Sequence, residues 1–270
     1  MKKILLSLVV CFSTLSHADG AYALYDYDQH EYQVSFNSHE VRPIASITKL
    51  FTAITILRSG IELTEKVRVT GRSSGRFPNG TMVSRHNLMR AMMISSDNRA
   101  AETLAHTYPG GFDKFIKDAN AYIKGRGLIR TSIEEPTGLS KNNVSTAIEL
   151  ISFIGAIKDN EALRNYADEK TADILIPRGK KQIHIKLHNT NPSIFKFDNI
   201  LISKTGYTDP AGRCVVMLVE KDKKYYGIVV LGQKNVKERS ELANGLITTA
   251  PLPAKPVVRE PDPIQFDLAM

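Results

Sequence analysis

From Ser46 to Gly60 the chain reads SITKLFTAITILRSG, and Leu50, Phe51, Ala53, Ile54, Ile56 and Leu57 leave a helix of this segment almost no polar face. A helix that is apolar nearly all round has to be surrounded, so the fold must wrap a core around it. At 270 residues, 42% hydrophobic and 24% charged, the chain has enough apolar material to do so.

What wraps it is legible in outline. Residues 21–36, AYALYDYDQHEYQVSF, alternate apolar and polar positions on either side of an Asp/Gln/His turn, the pattern of a strand hairpin. GRSSGRFPNGTMVS reads as loop; Ser84 caps a helix through RHNLMRAMMI, which stops at SSDN. NRAAETLAHTY resumes helically, GGFDKFIKDANAYIKGRG is a helix ended by glycine, and STAIELISFIGAI is a further helix expected to be capped by Ser145. KQIHIKL alternates, RCVVMLVE and YYGIVVLG are short apolar strands joined through KDKK, and KERSELANGLITT closes as a helix. Strands at both ends with helices between them predict an α+β fold, its antiparallel sheet built from N- and C-terminal segments with a helical portion inserted.

The chain's ends read differently. Lys2 and Lys3, an apolar run from Ile4 to Phe12 and then Ser16-His17-Ala18 have the form of a secretory signal cleaved after Ala18. The apolar run is about half of the roughly 20 residues a bilayer span needs, which disfavours a membrane anchor. A lipid-anchored variant would use Cys11, but Val10 is not the small residue such processing favours. Without Lys2 and Lys3 the formal charge drops from +8 to +6, 34 basic against 28 acidic residues. With no long basic run and no Trp, a solvated basic surface is expected rather than nucleic-acid binding. Cys214 is then the one cysteine left, so no internal disulfide is available. Residues 19–250 are expected to form the catalytic domain, and residues 251–270, with five prolines, an extended tail.

Three short motifs carry the chemistry. Ser-x-x-Lys occurs at Ser46/Lys49 and Ser193/Lys196; Ser-x-Asn at Ser35/Asn37, Ser96/Asn98 and Ser140/Asn142; Lys-Thr-Gly once, at Lys204-Thr205-Gly206. Context selects among them. Ser46 opens the apolar helix, Ser96 sits in a break between helices and Lys204 lies on the strand LISKTGYT, whereas Ser193 follows Pro192 in a loop. A serine hydroxyl is a poor nucleophile until a base takes its proton. At three-residue helical spacing Ser46 and Lys49 share a face, about 5–6 Å apart between Cβ atoms. A free lysine, with a pKa of about 10.4, is the wrong protonation state for a base. Burial pushes that value down, and a second cation such as Lys204 is expected to push it further. Taken singly, the motif is also compatible with a capping serine and a lysine that merely snorkels from a helix end.

The order Ser-x-x-Lys, Ser-x-Asn, Lys-Thr-Gly resembles the penicillin-recognising serine enzymes, the penicillin-binding proteins and serine β-lactamases. IASITKL, SSDNRAAETLAHTYPGG, EPTGLSKNNVSTA, NTNP and SKTGYTDPAGRCVVMLV together look like a low-molecular-mass D-alanyl-D-alanine peptidase of the periplasm, most like the D,D-endopeptidases. The resemblance implies the penicillin-binding/β-lactamase-like fold, with Ser46 attacking a D-alanine carbonyl as nucleophile, Lys49 as its base and Ser96 relaying a proton to the leaving amine. It implies that Asn98 holds the acyl peptide, that Lys204, Thr205 and Thr208 bind the substrate carboxylate, and that the N–H groups of Ser46 and Tyr207, beside Gly206, form the oxyanion hole. The implied partners are peptidoglycan stem peptides and cross-links, with β-lactams as covalent inhibitors; no cofactor is implied.

Rival readings differ at particular residues. A class A β-lactamase carries Glu-x-x-Leu-Asn, and Glu135-Pro136-Thr137-Gly138-Leu139 lacks the Leu-Asn, so penicillin should stay attached rather than be hydrolysed. A non-catalytic wall-binding protein would be expected to have lost one of Ser46, Lys49, Ser96, Asn98 or Lys204. His184 and His188, four apart on a strand, lie about 13 Å from each other and do not share one metal. Cys214, within an apolar run, reads as a buried inert thiol. Carboxypeptidase and endopeptidase both cleave after D-alanine and stay open here. The chain ends soon after the closing helix, without the added β-domain and membrane helix of many carboxypeptidases, which favours the endopeptidase.

Overall fold

The computed structural model describes residues 20–178 and 181–250; the expected secretory signal and the proline-containing tail lie outside the described residues. The chain opens with the predicted hairpin, β1 (Ala21–Asp26) and β2 (Glu31–Phe36), whose turn is held by the Asp26 carboxylate accepting from the N–H groups of Asp28 and Gln29 at 2.9 Å. A short strand β3 (Arg42–Pro43) leads to a 3-10 turn at Ala45–Ile47, and only then does α1 (Thr48–Arg58) begin. The helix therefore starts two residues later than its apolar pattern suggested. Ala45 takes a left-handed φ of 46°, and the tight turn it starts presents Ser46 ahead of the helix.

Strands β4 (Lys66–Arg68) and β5 (Met82–Ser84) pair across the predicted loop, and α2 (Arg85–Ile94) follows, with the Ser84 hydroxyl accepting from Asn87 N–H as expected. Then come α3 (Asn98–His106), α4 (Gly111–Gly125), β6 (Val144–Ser145) and α5 (Ala147–Ile157). The cap of α5 is Thr146, which accepts from Glu149 N–H at 3.1 Å, and not Ser145. Ser145 belongs to β6, paired with Arg42, and its hydroxyl meets that of Thr131 at 2.7 Å.

The helix α6 (Glu161–Ala167) precedes β7 (Thr171–Arg178) and β8 (Lys181–His188), which pair with each other as a separate hairpin lying against α2. A second 3-10 turn (Pro192–Phe195) leads into β9 (Ile200–Thr208), β10 (Gly212–Lys221), β11 (Lys224–Gln233) and α7 (Val236–Thr249). The main sheet is antiparallel in the order β2-β1-β11-β10-β9, so the N-terminal hairpin and the C-terminal strands close one sheet, with Ala21 opposite Leu231.

The sheet has two buried faces. Val216 and Leu218 of β10 face the helical side, where α1 is enclosed: every residue from Thr48 to Ile56 is buried, and Phe51 stacks on Phe153 of α5 at 4.0 Å between ring centroids. Each such buried aliphatic or aromatic side chain contributes about 1.5–3 kcal/mol, which pins α1 in place. Val215, Met217 and Val219 face the other way, onto Ala243, Leu246 and Ile247 of α7. The 3-10 turn ahead of α1 meets β9, the edge strand, and that junction is the cleft.

Candidate active site

Two close backbone approaches set the junction. A Cβ at Gly138 would stand 1.9 Å from the Ala45 carbonyl oxygen, and one at Gly206 would stand 3.0 Å from both the Ile44 oxygen and the Ser46 nitrogen. The Ala45–Ser46 peptide is thus held between the 134–143 loop and β9, and only glycine allows both approaches. Ser46 is consequently fixed at the cleft by contacts from two distant parts of the chain.

Lys49 is fully buried, and its Nζ lies 2.9 Å from Ser46 Oγ, 2.7 Å from Asn98 Oδ1 and 2.6 Å from the Thr137 carbonyl oxygen. The two carbonyl oxygens can only accept, so a neutral amine gives them its two N–H groups and turns its lone pair to the Ser46 hydroxyl. The charged form places three N–H groups on the same three oxygens. This cradle accommodates the amine before and after it takes a proton, as a general base requires. Burial pulls the Lys49 pKa down to about 7, against the opposing pull of Glu135, Asp97 and Glu102.

Ser96 and Asn98 come from the break between α2 and α3. Ser96 holds a left-handed φ of 58°. It is over-determined from both sides: Ser95 ends α2, while the Asp97 carboxylate caps α3 through Ala100 N–H at 2.8 Å and accepts from Arg76 N–H at 2.5 Å. Strain of this kind persists where flanking structure enforces it. The result aims Ser96 Oγ at Lys204 Nζ, 2.9 Å away, and Asn98 at Lys49.

Along β9, Lys204 shares with Ile202 the face that packs on the helical side, and it reaches Ser96 across the cleft. Lys204 Nζ also donates to the Thr205 carbonyl at 3.0 Å, and the Thr205 hydroxyl meets that of Thr190 at 2.6 Å. Burial, then the charges of Lys49 and Arg239, hold the Lys204 pKa well below the ordinary lysine range. Lys49 and Lys204 face each other across the cleft, so the state in which both carry a proton is disfavoured, and burial adds to this on each. Tyr207 lies at the surface with its hydroxyl donating to Asp209 Oδ1 at 2.6 Å, and the half-buried Thr208 hydroxyl accepts from Ala211 N–H at 3.3 Å in the hairpin turn.

The other copies of the motifs are elsewhere. Ser193 is buried and donates to Asn244 at 2.6 Å, while Lys196 sits over the Phe197 ring. Ser35 bonds Ser38, Asn37 bonds the Gly20 carbonyl, and Ser140 and Asn142 both donate to Glu134. Glu135 is not aimed at Ser46: its carboxylate accepts from the N–H groups of Thr137, Gly138 and Ser140, the Thr137 hydroxyl and the Asn143 amide, and so holds the loop that supplies the Thr137 carbonyl. His184 faces Asp173 at 3.0 Å, His188 stacks on Phe195, and both are exposed. Cys214 is buried, and its thiol is pushed up to about 11. Among the described residues no cluster of three or more His, Cys, Asp or Glu could hold a metal, and no helix is long and apolar enough to cross a membrane.

Arg239 is the site residue that sequence reasoning missed. It projects from α7, is buried, and its charge bears on Lys204; it donates to Ser240 at 3.3 Å, and among the described residues its Nε has no partner. In sequence it looks like any helix arginine, and nothing local marks it as facing inward.

With this geometry in view, the likenesses to known proteins are informative. Residues 10–235 match the family model described as D-alanyl-D-alanine carboxypeptidase. The chain is 35% identical over 222 residues to a D-alanyl-D-alanine endopeptidase of Escherichia coli, covering 79% of this chain and 71% of that one. It is 34% identical over 256 residues to the endopeptidase of Pseudomonas aeruginosa, covering 88% and 81%. Its fold is similar to that of penicillin-binding protein D2 from Listeria monocytogenes, a structure in the cefotaxime-bound form, with a TM-score of 0.74, 24% identity and coverage of 86% and 96%.

Proposed function

The chain belongs to the D-alanyl-D-alanine carboxypeptidase family of serine peptidases, and from that premise we propose that Ser46, Lys49 and Ser96 carry out acyl transfer on peptidoglycan stem peptides, with cross-links as the preferred substrate. The observation that carries this reading is the buried Lys49 amine, 2.9 Å from the Ser46 hydroxyl and already saturated by two carbonyl acceptors.

In this mechanism Lys49 takes the Ser46 proton as Oγ attacks the carbonyl of a D-alanine. The developing oxyanion is met by the N–H groups of Ser46 and Tyr207; β9 is an edge strand, so its outward N–H groups are free of a neighbouring strand there. Asn98 offers its amide to the acyl peptide. Ser96, bonded to Lys204, passes a proton to the leaving amine and is replenished with the proton that Lys49 took from Ser46, so Lys49 is again neutral when water releases the acyl-enzyme. A substrate carboxylate lies against Lys204, Thr205 and Arg239, and its charge restores the Lys204 ammonium that burial disfavours. β-Lactams enter the same cleft and acylate Ser46, and Glu135, tied to its loop, is not free to release them. Identity to two endopeptidases favours cleavage of the D-alanine–diaminopimelate cross-link over removal of a terminal D-alanine. Export behind a leader at residues 1–18, and residence in the periplasm beside this substrate, belong to the same reading.

The test is direct. A fluorescent penicillin should label the wild-type protein and leave Ser46→Ala blank, and purified sacculi should yield monomers from cross-linked dimers by mass spectrometry. No label on the wild type sinks the enzyme reading; loss of terminal alanine alone sinks the endopeptidase.

A further inference from the structure

The site described so far accounts for one carboxylate, yet the positive surface continues past it. Arg213, on β10, is paired in register with Tyr207 of β9, and its guanidinium carbon stands 3.5 Å from the centre of the Tyr207 ring. Among the described residues the buried Arg213 Nε has no hydrogen-bond partner, and the same holds for Arg239 Nε. Burial, and then the charge of Arg213, hold the Arg239 pKa below the ordinary arginine range. Among the described residues no carboxylate pairs with either one. Asp209, on the same hairpin, accepts from the Tyr207 hydroxyl instead.

Two arginines brought together without an acid raise the energy of the empty site, and an anion lowers it. The planar guanidinium fork suits a carboxylate, and stacking on an aromatic face fixes its orientation. A terminal D-alanine leaving group has one carboxylate, which Lys204, Thr205 and Arg239 take. A cross-linked leaving strand has that same group beside the scissile amide and also continues into a peptide that ends in a carboxylate of its own. Building on the endopeptidase reading above, we infer that Arg213, seated on the Tyr207 ring at the open end of β9, binds this second carboxylate and so favours cross-linked substrate over a terminal D-alanine.

Kinetics of wild type, Arg213→Gln and Arg213→Lys on a purified cross-linked muropeptide dimer and on a pentapeptide monomer test this. Arg213→Gln should lower the dimer-to-monomer ratio of kcat/KM about tenfold or more, chiefly through KM on the dimer. Arg213→Lys should recover part of the ratio, since it keeps the charge and loses the fork. Arg126→Gln, which removes an equal charge at the C-cap of α4, should not move it. An Arg213→Gln ratio within about twofold of wild type overturns the inference, as does an equal loss in Arg126→Gln, which would make it a bulk charge effect. Should Arg213→Gln fail to fold, Arg213→Lys and a salt series on wild type decide: the ratio must fall as ionic strength rises, and a flat ratio overturns the inference. A wild type that cleaves pentapeptide but no dimer removes the endopeptidase reading and this inference together, whereas dimer cleavage with an unmoved ratio removes the inference alone.

Discussion

Lys49 and Lys204 are buried to the same degree, at 0% and 1% exposure, and face one cleft from opposite walls, yet their surroundings differ in kind. Lys49, near the start of α1, meets two carbonyl oxygens and a hydroxyl and feels the carboxylates of Glu135, Asp97 and Glu102. Lys204, on β9, meets a hydroxyl and a carbonyl and feels two cations, Lys49 and Arg239. Desolvation acts on both; the neighbours decide what each amine can do. The Lys49 wall balances burial with acceptors and distant acids and leaves the amine poised near 7, where it can both hold and release a proton. The Lys204 wall adds repulsion to burial and leaves the amine short of an anion, which a substrate carboxylate supplies.

Exchanging the chemistry of one wall should break this contrast most severely at Lys49. Lys49→Arg keeps the positive charge but cannot deprotonate, so the rate of Ser46 acylation by a penicillin should fall by about 10³-fold or more, with the fold intact by circular dichroism. Acylation near the wild-type rate would show that another group takes the Ser46 proton. Lys204→Gln should have a smaller effect of a different kind: kcat/KM for a carboxylate-bearing peptide falls by about 10²-fold, mostly in KM, because a charged anchor is lost rather than a proton acceptor. If Lys204→Gln lowered kcat alone, the division of labour between the two walls would be wrong.

How much of this arrangement could be read beforehand follows from how local each part is. Ser46 and Lys49 are three residues apart and the motif order supplied the rest of the set, so Ser96, Asn98 and Lys204 were legible as chemistry. The antiparallel sheet made from both ends was legible because β1, β10 and β11 carry strong strand patterns. What stayed hidden depends on contacts between distant segments. The Thr137 carbonyl that completes the Lys49 cradle lies 88 residues away, and the loop bringing it there is organised by Glu135 and by the close passage of Gly138 over Ala45. Arg239 faces inward because of how α7 packs on the sheet. The separate β7–β8 hairpin was also missed in part: β8 showed its alternation, but in TADILIPR the exposed Leu175 between the buried Ile174 and Ile176 breaks the polar–apolar pattern. The left-handed backbone at Ala45 and Ser96 has no glycine to announce it.

The central claim is that the Lys49 amine is neutral near physiological pH and is the base for Ser46. The pH dependence of the second-order rate of penicillin acylation, followed on the wild-type protein from about pH 5.5 to about pH 9, reads that protonation state in the free enzyme. Lys49 must lose a proton to act, so the rate should rise with pH, pass its half-maximum at about 7 and then level off. A rate that stays flat across this range, or that is still climbing steeply at its upper end, would contradict the account.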